Sequence, residues 1–213
     1  LHKMNKKQIL CMGMAILIAG MVTGTVVRRQ SLRTEKKIEQ TQEQMAKEVL
    51  RFHILANSNR KEDQKLKMKV KEEVLSYMKQ ELPHSHSVEE TKRWARGHEP
   101  QIEAIAEELI QREGYDYPVG VKVTKCEFPD KTYGDVTFPK GTYQALRITI
   151  GEAKGHNWWC VLYPNLCFTD ATNAVVPQEG KEELKEVLTE EEYDMVTSTS
   201  KFKIKWFFLE ENQ

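Results

Sequence analysis

The chain has 213 residues, 32 lysines and arginines against 32 aspartates and glutamates, and a mean hydropathy of −0.61. That composition excludes a polytopic membrane protein, whose apolar fraction is far higher. It also lacks the basic excess with which nucleic-acid binders displace counterions, so no nucleic-acid partner is expected. With 39% hydrophobic residues, four tryptophans and seven phenylalanines, it is not a wholly disordered chain either.

The neutral total hides a gradient. Residues 1–27 carry a formal charge of about +3, residues 28–80 about +6 and residues 81–213 about −9. From Ile9 to Val27 runs ILCMGMAILIAGMVTGTVV, without a charged side chain and preceded by Lys3, Lys6 and Lys7. As a helix it would be roughly 28 Å long, near the thickness of a bilayer's hydrocarbon core. Lysines before an apolar run are the pattern of an export signal. Residues 1–27 are therefore expected to be a signal peptide or an uncleaved membrane anchor, and the small residues Gly20, Thr23, Gly24 and Thr25 leave both open.

Residues 28–47 are polar, lack Gly and Pro, and read as a charged stalk that a helix would suit. A single domain is expected over 48–213. It opens with Leu50, Phe52, Ile54 and Ala56 alternating with Arg51 and His53, the period of a strand. Asn57-Ser-Asn59 stops that strand, and Asn59 with Glu62 predicts a capping box. The next helix places Leu66, Val70, Val74, Tyr77 and Met78 on one face, with Lys61, Lys65 and Lys69 elsewhere. Pro83-His84-Ser85-His86 is a loop, Ser87 with Glu90 a second capping box, and Gly97 to Pro100 a helix break. Ile102, Ile105, Ala106, Leu109 and Ile110 form the face of a further helix that Gly114 ends.

After Pro118 the period becomes two: Val119, Val121, Val123, then Leu146, Ile148, Ile150. Asn157 to Tyr163 is apolar on both parities and predicts a central strand. Residues 181–195 predict an acidic helix with Leu184, Val187 and Leu188 inward, and Phe202, Ile204, Trp206 and Phe208 a final strand. The expected fold class is α+β, with a mixed or antiparallel sheet, packed helices and a preceding N-terminal hydrophobic helix.

No P-loop, GxGxxG, GxSxG or HExxH string is present. His84 with His86, beside Pro83, reads as a polar linker better than as a metal pair, and Glu127, Asp130 and Asp135 lack the spacing of a calcium loop, so no metal or cofactor is expected. A histidine near an acid can act as a base, but Arg51 with His53 reads better as a polar pair at a sheet edge. Cys160 and Cys167 flank a turn at Pro164-Asn165 and are candidates for a disulfide; three buried thiols, with Cys126, are the alternative. Trp158 and Trp159 must point to opposite faces of their strand. Either both faces are covered, or one indole is free to anchor a partner.

Two strings together resemble the stage II sporulation protein R family of endospore-forming Firmicutes. The first is Leu50-Arg-Phe-His-Ile-Leu-Ala-Asn-Ser58, followed by Asp63-Gln64 and Leu66-Lys67. The second is Gly141-Thr-Tyr-Gln-Ala-Leu-Arg-Ile148, then Gly155-His-Asn-Trp-Trp-Cys-Val161, Pro164 and Leu166-Cys167-Phe168. The resemblance implies a signalling protein rather than an enzyme. Such a protein is exported from the forespore into the septal intermembrane space, where it activates a membrane-embedded aspartic protease of the mother cell that cleaves pro-sigma-E. His156, Asn157, Trp158, Trp159, Asn165 and Leu166 are the first candidates for receptor contact, and Arg51 and His53 the second. The rival class is a protein that binds or hydrolyses septal peptidoglycan, for which no acid–base pair of carboxylates stands out. If the anchor is retained, the basic stretch is expected against anionic lipid headgroups, with the acidic remainder facing away.

Overall fold

The computed structural model describes residues 6–82, 87–167 and 176–197, with the side chains of residues 6, 8–10, 12, 13 and 34 outside that description. His84, His86 and the expected strand at Phe202–Phe208 lie outside the described residues. The chain divides into two compact units, Leu1–Thr41 and Gln42–Gln213.

Helix α1 spans Lys6–Glu48, so the apolar segment and the stalk are both helical. In the first unit Ile16, Leu17, Ile18, Met21, Val22, Val26 and Val27 are all more than half exposed. Among the described residues no helix is long and apolar enough to cross a membrane. Ile9, Leu10, Met12 and Gly13, which open the apolar run, are among the positions whose side chains are not described.

The second unit is α+β. Strand β1 (Leu50–Leu55) leads to α2 (Lys61–Glu81), α3 (Val88–Gly97) and α4 (Glu99–Arg112). Then come β2 (Val119–Phe128), β3 (Lys131–Tyr133), β4 (Val136–Phe138), β5 (Gly141–Ile150), β6 (Asn157–Tyr163), α5 (Gln178–Val187) and α6 (190–197). Four strands make a mixed sheet in the order β2-β5-β1-β6, and β3 and β4 form a separate hairpin. β1 runs parallel to β5 and antiparallel to β6.

Strand alternation divides β1 between two cores. Leu50, Phe52 and Ile54 join the apolar faces of the helices: Leu66, Val70, Val74 and Met78 from α2, Ala95 from α3, and Ile102, Ala106 and Ile110 from α4. The other face is covered by the hairpin, the end of α1 and the C-terminal helices, through Met45, Val49, Val136, Phe138, Leu184, Leu188 and Val196. Met45 and Val49 are fully buried, so the last turn of the predicted stalk belongs to this core.

Several local expectations hold. Ser87 accepts the amide of Glu90 at 3.2 Å and caps α3, Pro100 sits in the first turn of α4, and Gly114 follows α4 with φ 83°. Others are corrected. β6 is an edge strand of the described sheet, because β1 takes the centre between β5 and β6. The Arg51–His53 pair therefore lies on a central strand instead of an edge. α2 starts at Lys61 with Arg60 at its cap position and no side-chain cap, because Asn59 is engaged elsewhere. The acidic helix is broken at Leu188 into α5 and α6, with Glu192 accepting the amide of Thr189 at 2.8 Å.

Candidate functional site

The turn between β1 and α2 straps down the loop between β5 and β6, and that strap positions the conspicuous residues of β6. At its centre is the Asp63 carboxylate, 1% exposed in the first turn of α2. It accepts from Asn57 Nδ2 at 2.9 Å, from Tyr117 Oη at 3.1 Å and from the Ser58 hydroxyl, with the Arg60 guanidinium at 3.5 Å. Burial alone would raise its pKa; the hydrogen bonds from Ser58, Asn57 and Tyr117 and the charge of Arg60 outweigh burial and hold it below the usual carboxylate value.

With its amide nitrogen committed to Asp63, Asn57 turns its oxygen to the amide of Glu152 at 2.9 Å. Asn59 accepts the amide of His156 at 2.7 Å. Backbone amides complete the strap, from Lys154 to Asn57 O at 3.1 Å and from Gly155 to Ala56 O at 2.9 Å. On the far side the Lys67 ammonium donates to His156 O at 3.0 Å and Gln64 Oε1 at 2.7 Å. Two glycines allow this close approach. Gly151 has φ 59°, and a Cβ at Gly155 would collide with the carbonyl of Ser58.

Beyond the strap, His156 is exposed, while Asn157, Trp158 and Trp159 are half-buried. The two indoles take opposite faces, as alternation requires. Trp158 meets Phe52 edge-on with centroids 5.5 Å apart, and the Lys71 ammonium lies 5.7 Å from its ring. Trp159 stacks on His53 at 4.0 Å and 21°, with Phe128 at 4.6 Å and the Lys131 ammonium at 5.9 Å.

Arg51 and Leu166, expected as contact residues, lie inside, 0% and 5% exposed. The Arg51 guanidinium is caged by Phe128 (4.4 Å), Tyr143 (5.0 Å), Phe138 (5.1 Å) and Tyr133 (5.8 Å). It donates to Cys160 O at 3.2 Å and Tyr133 Oη at 3.0 Å, and its remaining nitrogen has no partner among the described residues. Burial pushes the Tyr143 hydroxyl up to about 12.

His53 is 5% exposed. Burial first, then the charges of Arg147 and Arg51, lower its pKa to about 4, against a small opposing pull from Asn157. The Asn157 amide lies beside the ring, yet neither His53 nitrogen nor Asn157 Oδ1 meets hydrogen-bond geometry. The imidazole is neutral at pH 7, with guanidinium groups rather than a carboxylate supplying its nearest charges.

Cys160 and Cys167 are free thiols, and Cys167 Sγ approaches Val161 O at 3.0 Å. Burial, then a hydrogen bond with Cys160, raises the Cys167 thiol well above its ordinary pKa. Asn165 is half-buried and donates its amide to Glu183 at 3.0 Å. The carboxylates weighed as a cation loop serve as ties: Asp130 accepts the Lys140 amide at 2.8 Å, and Asp135 takes the Lys181 ammonium at 2.5 Å and the Val176 amide at 3.0 Å.

Stage II sporulation protein R (spore_II_R) is the family whose pattern matches residues 46–173, more than half of the chain. Stage II sporulation protein R of Bacillus subtilis (strain 168) is 37% identical over 184 residues, covering 85% of this chain and 80% of that relative. The chain belongs to the stage II sporulation protein R family. No solved structure gives a significant match.

The family match encloses both the strap and β6. Asn57, Ser58, Asp63, Gln64 and Lys67 stand in strings that resemble stage II sporulation protein R, but the residues alone did not reveal their role as a strap. The legible signal was a polar triplet ending an apolar strand, followed by Asp63 and Lys67 beside the apolar stripe of α2. The partners Tyr117 and Glu152 come from positions with no local signature, and only the folded chain brings them in.

Proposed function

We propose that this sporulation protein is an exported signal that activates a membrane-embedded aspartic protease of the mother cell, leading to cleavage of pro-sigma-E. It acts by binding and not by catalysis. The family membership supports the sporulation role, and the strapped loop with its exposed His156 is the observation that favours a binding surface. Six hydrogen bonds hold residues 152–156 against the β1–α2 turn and α2. A preformed surface loses little entropy on docking, which suits a ligand that must discriminate two states of its receptor. To shift a receptor from about 1:99 to 99:1, it must prefer the active state by about ten-thousand-fold.

In this reading residues 9–27 direct export across the forespore membrane, by cleavage or by anchoring, and the domain acts in the septal intermembrane space. The apolar side chains exposed along α1 support a covered, lipid-facing environment for that segment. His156, Asn157 and Trp159 form the contact surface; Arg51 and Leu166 support it from within.

The test is co-expression of this chain, the receptor protease and the sigma precursor in a non-sporulating host. Mature sigma factor should appear only when the chain is present and exported. Maturation without it, or with an unexported form, would overturn the reading. Fragments released from purified peptidoglycan by the protein would favour a wall hydrolase instead.

A further inference from the structure

We infer that the uncovered half of the sheet face opposite the helices α2–α4 is a carboxylate-binding site, filled by an aspartate or glutamate from an acidic loop of the partner protein. The inference takes from the proposed function only that a partner protein exists; the site itself is tested without it.

The register aligns Lys122 on β2, Arg147 on β5, His53 on β1 and Trp159 on β6 in one cross-strand row. Residues in such a row project from the same face. Lys122 is exposed, Arg147 and Trp159 are half-buried, and His53 is recessed between them. The next row toward the strapped loop is Gly120, Thr149, Leu55 and Asn157, all partly exposed, so no thick layer covers this half. Gly120 has no side chain, and the Thr149 hydroxyl turns to Gly120 O at 3.2 Å, which keeps that row low.

The charges here are of one sign. Lys131 reaches over Trp159, and Arg51 lies one row behind His53. Among the described residues, Lys122, Arg147 and Lys131 form no ion pair with a carboxylate. The second, independent feature is His53, 5% exposed with both ring nitrogens unpartnered among the described residues. A buried polar group without a partner is costly, and one flanked by guanidinium groups is suited to donate to an anion.

A carboxylate fits both demands. It can take two parallel bonds from the Arg147 fork and the charge of Lys122, while a neutral imidazole donates its one N–H. The recess argues for an inserted side chain over a lipid surface. Flat anionic headgroups would meet the exposed Lys122 and leave the His53 ring, behind Trp159, untouched.

The probe is an acetylated, amidated tetraglutamate peptide, with the tetraglutamine peptide as control, added to the full chain in an uncharged detergent. Saturable change of tryptophan fluorescence with the glutamate peptide, weakened by salt and absent with the glutamine peptide, is expected. Lys122→Gln with Arg147→Gln should weaken it by about tenfold or more. Lys122→Gln alone, at an exposed position, should weaken it in the same direction without altering the thermal melt. Equal response to both peptides, or an unchanged response in Lys122→Gln and the double variant, would overturn the site. Phosphatidylglycerol vesicles that bind through Lys122 and Arg147 while the peptide does not would overturn the choice of ligand. Peptide binding without receptor activation would count against the proposed function and leave this site standing; activation without peptide binding would do the reverse.

Discussion

Asp63 shows how a single side chain organises a surface some distance from itself. Its two oxygens receive Asn57, Ser58, Tyr117 and Arg60, and Asn57 passes the constraint to Glu152 on the opposite loop. Asp63→Asn places an amide among donors, so at least one bond is lost and one donor is left opposing another. We expect a loss of about 2 kcal/mol in unfolding free energy, with faster amide exchange at Glu152, Lys154 and His156. Unchanged exchange at those amides would show that Asp63 does not hold the loop. His53 makes a pH prediction. Its folded pKa of about 4 lies below the ordinary 6.5, so the unfolded chain binds more protons between those values. Stability is therefore full above pH 6.5 and falls as pH drops toward 4, by about 2 kcal/mol at pH 5 if this group alone acts. Comparing denaturant midpoints at pH 7 and pH 5 for the native chain and His53→Phe checks this, because the variant should lose that part of the dependence.

The individual elements differ in how openly the sequence announces them. β1, the apolar stripe of α2, the Ser87 cap and the Pro100 start are legible because each depends on residues within a turn or two of one another. The opposite orientation of Trp158 and Trp159 follows from strand geometry alone. The β3–β4 hairpin was not legible: its strands are three residues each, too short for a period, and its role is set by Arg51, far away in sequence. The central place of β1 depends on its parallel pairing with β5, about ninety residues on, which no local pattern encodes. The hairpin's contribution is testable. Phe138 is fully buried against Arg51, and Phe138→Ala should cost about 3–5 kcal/mol through lost packing and an uncaged guanidinium. A loss below about 1 kcal/mol would mean the hairpin does not seal that core. In the strap, Gly155→Ala should displace the loop from the Ser58 carbonyl and impair signalling while the helix-side core stays folded. Native signalling by that variant would show that the close approach is dispensable.

For the whole molecule, the zero net charge is a sum over regions with different work. The basic stretch runs from the stalk through α2, where Lys61, Lys65 and Lys69 are exposed. The acids concentrate in α5 and α6 at the other end of the sequence. The open row at Lys122 and Arg147 is a basic exception within the acidic part, and it adjoins the strapped loop through Trp159 and Asn157 on β6. On the proposed reading, one contiguous surface therefore offers an exposed imidazole, a half-buried indole and a carboxylate site. His156 separates binding from folding most cleanly, since its ring is exposed while only its backbone atoms are bonded. The decisive measurement is the amount of mature sigma factor produced in sporulating cells that carry His156→Ala or Trp159→Ala. Loss of maturation is predicted for both, with His156→Ala exported and as stable as the native chain. Maturation at the native level in both variants would contradict the placement of the receptor contact on the strapped loop and the start of β6.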